Sequence, residues 1–160
     1  MRASAIGLVI LILAQIYLGA LVAGLRAGAV YNTWPLIGGA VVPGPAQLFF
    51  DTPLWRNFFE NKLTVQFEHR IFADVVFVAA LLHAADVVRT FKRGPLVTGA
   101  LALAAVTTLQ IALGILTLIF VVPIGLALAH QAMAMVTLTI AAVHAANMSQ
   151  RVALPIAAAA

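Results

Sequence analysis

The chain has no cysteine and few charged residues. None of its 160 residues is cysteine, which excludes disulfide bonds, thiolate metal sites, cysteine nucleophiles and covalently attached haem of the c type. Only 9% of the residues are charged, against roughly 25% in a typical soluble domain. Hydrophobic residues make up 64%, and the mean hydropathy is +1.09. A soluble fold of this length cannot bury so much apolar surface, so lipid must solvate much of the chain.

Acidic residues are also scarce, which leaves a formal net charge of +4 and a pI near 10.4. The basic residues lie at the ends of the apolar runs, and no aromatic residues alternate with them. This placement is typical of topology signals and of contacts with lipid headgroups. We therefore expect membrane lipid, and no nucleic acid, among the partners of this chain.

Four apolar segments are long enough to cross a bilayer, which takes about 20 helical residues. They cover approximately residues 3–25, 64–88, 96–121 and 124–148. The first has no clear small-residue cleavage site after a short apolar region, so we interpret it as a retained helix. The sequence therefore predicts an all-α integral membrane protein, with one four-helix domain over residues 1–160.

The connection between the first two segments is long and contains many prolines and glycines, which predicts turns and extended chain. Aromatic residues suited to the headgroup layer also lie there, among them Trp34, Trp55 and Phe58. Lys and Arg near the membrane number five on the side of the termini and four on the other. We therefore expect both termini in the cytoplasm and the long loop outside.

The four histidines all fall within or at the ends of the predicted spans, where polar groups usually mark function. His69 and His83 belong to the second span, and His130 and His144 to the fourth. Each helix therefore carries two histidines 14 residues apart, or about four turns. Because both helices run in the same direction, the histidines form two levels, as they do in dihaem cytochromes b.

The outer level, His69 and His130, is the predicted ligand pair for a haem iron, which accepts two axial imidazoles and needs no cysteine. Arg70 and Arg26 could pair with the haem propionates at the membrane edge. A single membrane histidine is often only a hydrogen-bond partner between helices. The matching depth of the two residues is what favours ligation here.

The inner level, His83 and His144, is a speculative second pair. Both residues lie near charged side chains, such as Asp86 and Arg89, at the predicted cytoplasmic interface. A histidine at an interface needs no ligand role. A stand-alone dihaem cytochrome b that uses all four histidines therefore stays open as an alternative, and so does a structural or transporter bundle without haem.

Several motifs, in this order along the chain, resemble the haem A synthase family (the CtaA type of cytochrome oxidase assembly protein). They cover most of the sequence, and the ordered set is far more specific than any one motif. The matching stretches are GALVAGLRAG at 19–28, YNTWPL at 31–36, WRNFFEN at 55–61, VQFEHR at 65–70, QIALG at 110–114 and AHQ at 129–131.

The resemblance implies an eight-helix protein made of two similar four-helix halves. Such an enzyme is an oxidoreductase that oxidises the C8 methyl of haem O to a formyl, making haem A for terminal oxidases. The first half handles the substrate haem, and the second binds a b-type haem that passes electrons. By motif position, His69 and His130 match the ligand pair of such a half.

One position favours the second, C-terminal half. The first half of the family carries a glutamate three residues before its His-Arg pair, and here that position is Gln66. Since an amide cannot transfer a proton as a carboxylate does, no catalytic residue is predicted, and an isolated half is expected to lack activity. Glu68 is adjacent to His69 and should point elsewhere on the helix.

The resemblance also implies partners and a location. The expected partners are a substrate-bearing half or another copy of this chain, with haem O synthase and an electron donor as further candidates. The expected location is the bacterial plasma membrane, or the mitochondrial inner membrane in a eukaryote.

Overall fold

The computed structural model describes residues 1–157, with side chains over residues 1–150. Four helices dominate it: α1 (Arg2–Gly24), α5 (Lys62–Phe91), α6 (Pro95–Ile119) and α7 (Ile124–Ala157). Each is long and apolar enough to cross a membrane. No β-strand occurs within residues 1–157. The predicted fold class, an all-α bundle with four membrane helices, is confirmed, and the chain is a multi-pass membrane protein.

Short elements occupy the connection from α1 to α5: α2 (Ala27–Val30), α3 (Pro45–Leu48), a 3₁₀ turn (Leu54–Arg56) and α4 (Asn57–Glu60). They rest on the start of α5 through a small cluster of Ile37, Leu48 and Leu63. Outside the membrane helices, the pKa of Arg56 is raised because its guanidinium donates hydrogen bonds to Glu60.

The helix ends follow local chemistry. The side chain of Asn61 accepts hydrogen bonds from the backbone N–H groups of Leu63 and Thr64, which caps α5. Pro95 opens α6, where its missing N–H is not needed. The turn from α6 to α7 places Val121 and Val122 at φ of 62° and 57°, a left-handed backbone that β-branched residues rarely adopt.

The four membrane helices form a square in cross-section. α1 contacts α5 and α7, and α6 contacts the same two helices. α5 and α7 are therefore diagonal partners, as are α1 and α6. Since successive membrane helices alternate in direction, α5 and α7 run the same way. A residue of α5 thus faces the residue of α7 at the same level across the centre of the bundle.

The bundle is built from two copies of one helical hairpin, α1–α5 and α6–α7. The motif Gln-Ile-x-Leu-Gly occurs in α1 at 15–19 and in α6 at 110–114. Equivalent positions of the two copies are also buried alike. Leu8 and Leu103 are both buried in the first helix of each copy, and Ala80 and Ala141 are both buried in the second. An approximate two-fold axis along the bundle therefore relates α1 to α6 and α5 to α7.

Candidate functional site

The outer histidines lie near the starts of α5 and α7, at the end of the bundle that the long connection covers. The side-chain amide of Gln15, on α1, holds His69 at two points. Its Nε2 donates to the carbonyl oxygen of His69 at 3.0 Å and lies 3.1 Å from the ring Nδ1. The other copy repeats the first contact, because Gln110 Nε2 donates to the carbonyl oxygen of His130 at 3.0 Å.

Each outer histidine ring lies against the bare backbone of a glycine. A methyl group added at Gly19 would come within 3.1 Å of His69 Cε1. One added at Gly114 would come within 2.9 Å of His130 Cε1, closer than real Cβ contacts allow. The two glycines are equivalent positions of the repeated motif. Any larger residue at either position would displace the imidazole.

Several polar atoms at this level are buried and have no hydrogen-bond partner. They are Gln15 Oε1, Gln110 Oε1 and His130 Nδ1. Unpaired polar atoms are costly in a membrane interior, so the hydrogen bonding at this level is incomplete in the arrangement that the structure shows. Over residues 1–150, no group of three or more His, Asp or Glu could hold a metal ion. Two imidazoles without further ligands fit a haem iron, whose remaining four positions are filled by the macrocycle.

Arg70 donates hydrogen bonds to the loop after α2. Its guanidinium donates to the carbonyl oxygens of Tyr31 at 3.2 Å, Thr33 at 2.8 Å and Leu36 at 3.2 Å, while its Nε is buried without a partner. Gln66 Nε2 also donates to the Tyr31 carbonyl, at 2.8 Å. Both residues therefore fix this loop on α5, at the end of the bundle where the outer histidines lie.

Arg26 lies at the corner between α1 and α2 and is exposed, with a left-handed φ of 53°. Its role toward a propionate stays a prediction, as does that of Arg70. Glu68 is the next residue to His69 but belongs to another surface. It lines an apolar groove of about 490 Å³ with Tyr17, Phe59 and Phe67, and its Oε1 is buried without a partner.

The inner histidines meet directly across the bundle. His83 Nε2 and His144 Nε2 are 2.8 Å apart, and the rings lie nearly perpendicular, at 75°. The residues are 4% and 2% exposed, so both rings are buried inside the bundle. On α5, His83 faces the centre, whereas the Asp86 and Arg89 side chains are exposed. The expected depth of this pair, at the cytoplasmic interface, stays a prediction.

Ser4 fixes the proton positions of the inner pair. Its hydroxyl donates to the Met1 carbonyl at 2.8 Å and lies 2.9 Å from His83 Nδ1. With the hydroxyl proton on the Met1 carbonyl, the matching tautomers have Ser4 Oγ accepting from His83 Nδ1–H and His144 Nε2–H donating to His83 Nε2. At the equivalent position of α6, a methyl group added at Gly99 would lie 2.6 Å from His144 Nδ1, which is buried without a partner.

A packed apolar cluster surrounds this inner pair, and it includes Ala84, Val87, Leu96 and Ala145. The two Nε2 atoms share a hydrogen bond, so a metal between them would require α5 and α7 to separate. The inner level thus differs from the outer one, because its two histidines bind each other directly. The sequence does not single out Gln15, Ser4 or Gly99, because residues of these types are common in membrane helices. The repeat of the hairpin could have identified them, since it places each beside a histidine.

Comparison with known proteins gives a consistent family. The chain matches the family model COX15-CtaA, described as cytochrome oxidase assembly protein, over residues 1–142. It is 56% identical to the Heme A synthase of Bradyrhizobium diazoefficiens over 144 residues, which is 90% of this chain and 40% of that protein. It is 53% identical over 141 residues to the Heme A synthase of Rhodopseudomonas palustris strain HaA2, covering 88% of this chain and 38% of that protein.

A further relative is the Heme A synthase of Bradyrhizobium sp. strain BTAi1, which is 50% identical over 151 residues. The match covers 94% of this chain and 42% of that protein. The chain therefore spans about two fifths of the length of the curated relatives it matches. No solved structure matches it.

Proposed function

The chain belongs to the COX15-CtaA family of cytochrome oxidase assembly proteins, and from this premise we propose that it is the haem b-binding half of a haem A synthase. One observation carries the proposal: the two outer histidines share one level, each against a glycine and each anchored by a glutamine. Two imidazoles at one level suit a haem iron, which takes two ligands from the protein.

In this proposal His69 and His130 would hold the haem iron through their imidazoles. Gly19 and Gly114 leave the space that each ring occupies, and Gln15 and Gln110 hold the backbone of the two ligand residues. When bound, the haem supplies an iron that accepts and donates one electron at a time. Arg26, and the Nε of Arg70 that has no partner, are the groups suited to a propionate at the membrane edge.

The oxidation of haem O to haem A itself belongs to the whole enzyme. Gln66 donates to the Tyr31 carbonyl and offers no carboxylate for proton transfer. We therefore place substrate oxidation on a partner half that carries a glutamate, with electrons passing through this half. Another copy of this chain is a further candidate partner. A haem O synthase and an electron donor are further partners, and the proposed location is the plasma membrane with cytoplasmic termini.

Haem content of the purified protein tests this proposal. The chain is expressed with haem available, purified in detergent, and assayed as the pyridine haemochrome. We expect about one b-type haem per chain, lost in His69→Ala and in His130→Ala and kept in the double variant His83→Leu/His144→Leu. No haem in the parent chain contradicts the proposal.

The same assay decides the alternative of a dihaem cytochrome b. Two haems per chain, one of them lost in the inner double variant, would replace the synthase half with that alternative. The direct contact of His83 with His144 favours one haem.

A further inference from the structure

Gln15 and Gln110 are equivalent residues of the two hairpins, and each has one half of its amide satisfied. The Nε2 of each donates to the carbonyl oxygen of the outer histidine on the adjacent helix, at 3.0 Å in both copies. The Oε1 of each is buried without a partner. The same atom is therefore unpaired at two positions that the repeat relates, which a single packing defect does not explain.

A buried amide oxygen without a partner lacks a hydrogen-bond donor. In a membrane interior no water compensates a buried amide oxygen, and leaving it unpaired costs free energy. The imidazole of the outer histidine is one source of such an N–H on the adjacent helix. Gln15 Nε2 lies 3.1 Å from His69 Nδ1, where the amide nitrogen can only donate, so a small turn of the ring is needed to bring Nδ1 to Oε1. His130 Nδ1 is buried without a partner in the other copy.

Iron binding dictates the proton on that ring. An imidazole that binds a metal through Nε2 carries its proton on Nδ1, and this N–H needs an acceptor that fixes the ring orientation. Resting on the proposed function, we propose that Gln15 and Gln110 are positioning residues, each accepting the Nδ1–H of its histidine through Oε1. Nε2 of each amide meanwhile stays on the histidine carbonyl.

Through these two contacts, one glutamine side chain would hold both the ring and the backbone of its histidine. An acceptor on Nδ1–H makes the imidazole a stronger electron donor, which stabilises ferric over ferrous iron. Removing the acceptor should therefore raise the midpoint potential of the bound haem. Replacing the amide with a carboxylate, a stronger acceptor, should lower it.

The test is a redox titration of the haem-loaded protein, with the g-values of the ferric haem read by electron paramagnetic resonance. We expect Gln15→Leu and Gln110→Leu to shift the potential upward, and Gln15→Glu and Gln110→Glu to shift it downward. Gln131→Leu and Gln131→Glu are the controls, because Gln131 follows His130 in the chain and is exposed. They correct for changes of polarity and charge near the site.

Leucine variants that bind one haem with the potential and g-values of the parent would overturn the proposal. If the leucine variants fail to fold, the glutamate variants decide: a downward shift no larger than that of Gln131→Glu also overturns it. Failure of the proposed function looks different, since the parent chain would then bind no haem.

Discussion

His83 and His144 join the two diagonal helices of the bundle through a single contact between their Nε2 atoms, 2.8 Å long. α5 and α7 do not pack against each other as neighbours, because α1 and α6 lie between them. This hydrogen bond therefore joins two diagonal helices that pack mainly through α1 and α6. It also satisfies two polar groups that lie where no water can reach them.

A double-mutant cycle should reveal this dependence. His83→Leu or His144→Leu alone leaves the other ring buried with an unpaired nitrogen, so each should lower the free energy of unfolding by about 1–3 kcal/mol. The double leucine variant should lose less than the sum, because it removes both polar groups. Unfolding in mixed detergent micelles measures the four stabilities. Purely additive losses would argue against the contact.

The glycines beneath the outer rings should control haem retention. Gly19→Ala and Gly114→Ala place a methyl group within 3.1 Å and 2.9 Å of the His69 and His130 rings and should, if these rings hold the haem, weaken haem binding by on the order of tenfold. The rate at which each variant loses haem to apomyoglobin measures this effect. Gly7→Ala, also in α1, has no atom within 4 Å of its added methyl group and should retain haem like the parent.

Gly99→Ala should act on the inner level alone. Its methyl group would lie 2.6 Å from His144 Nδ1, so the ring must move and the contact with His83 weakens. We expect a lower melting temperature with unchanged haem content per folded chain. A fall in haem content that matches the Gly114→Ala variant would mean that the inner level contributes to the cofactor site.

Arg70→Gln should loosen the loop after α2. The guanidinium binds three carbonyl oxygens, and hydrogen bonds from a charged donor contribute about 1.5–3 kcal/mol each. Faster amide hydrogen exchange over residues 31–37 is the expected result. Gln131→Ala changes the equivalent position of the second hairpin, which has no such loop, and should leave this exchange unchanged. Equal exchange in both variants would contradict the role of Arg70.

The four spans and the two levels of histidines could be predicted from the sequence. Apolar runs set the helices, and the 14-residue spacing sets the levels because an α-helix has a fixed rise per residue. The helix partners of each histidine could not be predicted, since they depend on how each helix is rotated about its axis. The hydropathy of α1 is nearly uniform around the helix, so it does not reveal that Gln15 faces His69.

The burial of His83 was also beyond the pattern. Asp86 lies only one turn from His83, on a neighbouring part of the same helix surface, yet Asp86 is exposed and His83 is buried. The rotation of α5 about its axis decides this difference, and the hydropathy pattern does not reveal it. The partner of His69 could have been found by noticing Gln-Ile-Tyr-Leu-Gly and Gln-Ile-Ala-Leu-Gly as copies of one motif. That repetition relates the environments of His69 and His130 without any knowledge of the fold.

An approximate two-fold axis has a consequence for any flat ligand held between His69 and His130. Such a ligand can enter in two poses related by half a turn about the axis, and in a perfectly symmetric site the two would have equal energy. Only the differences between the hairpins choose between them. Arg70 of the first hairpin corresponds to Gln131 of the second, and only the first hairpin carries the long insertion over the site. The orientation in which a macrocycle is seated would therefore depend on this insertion and on the arginine of α5 that binds it, and not on the histidines.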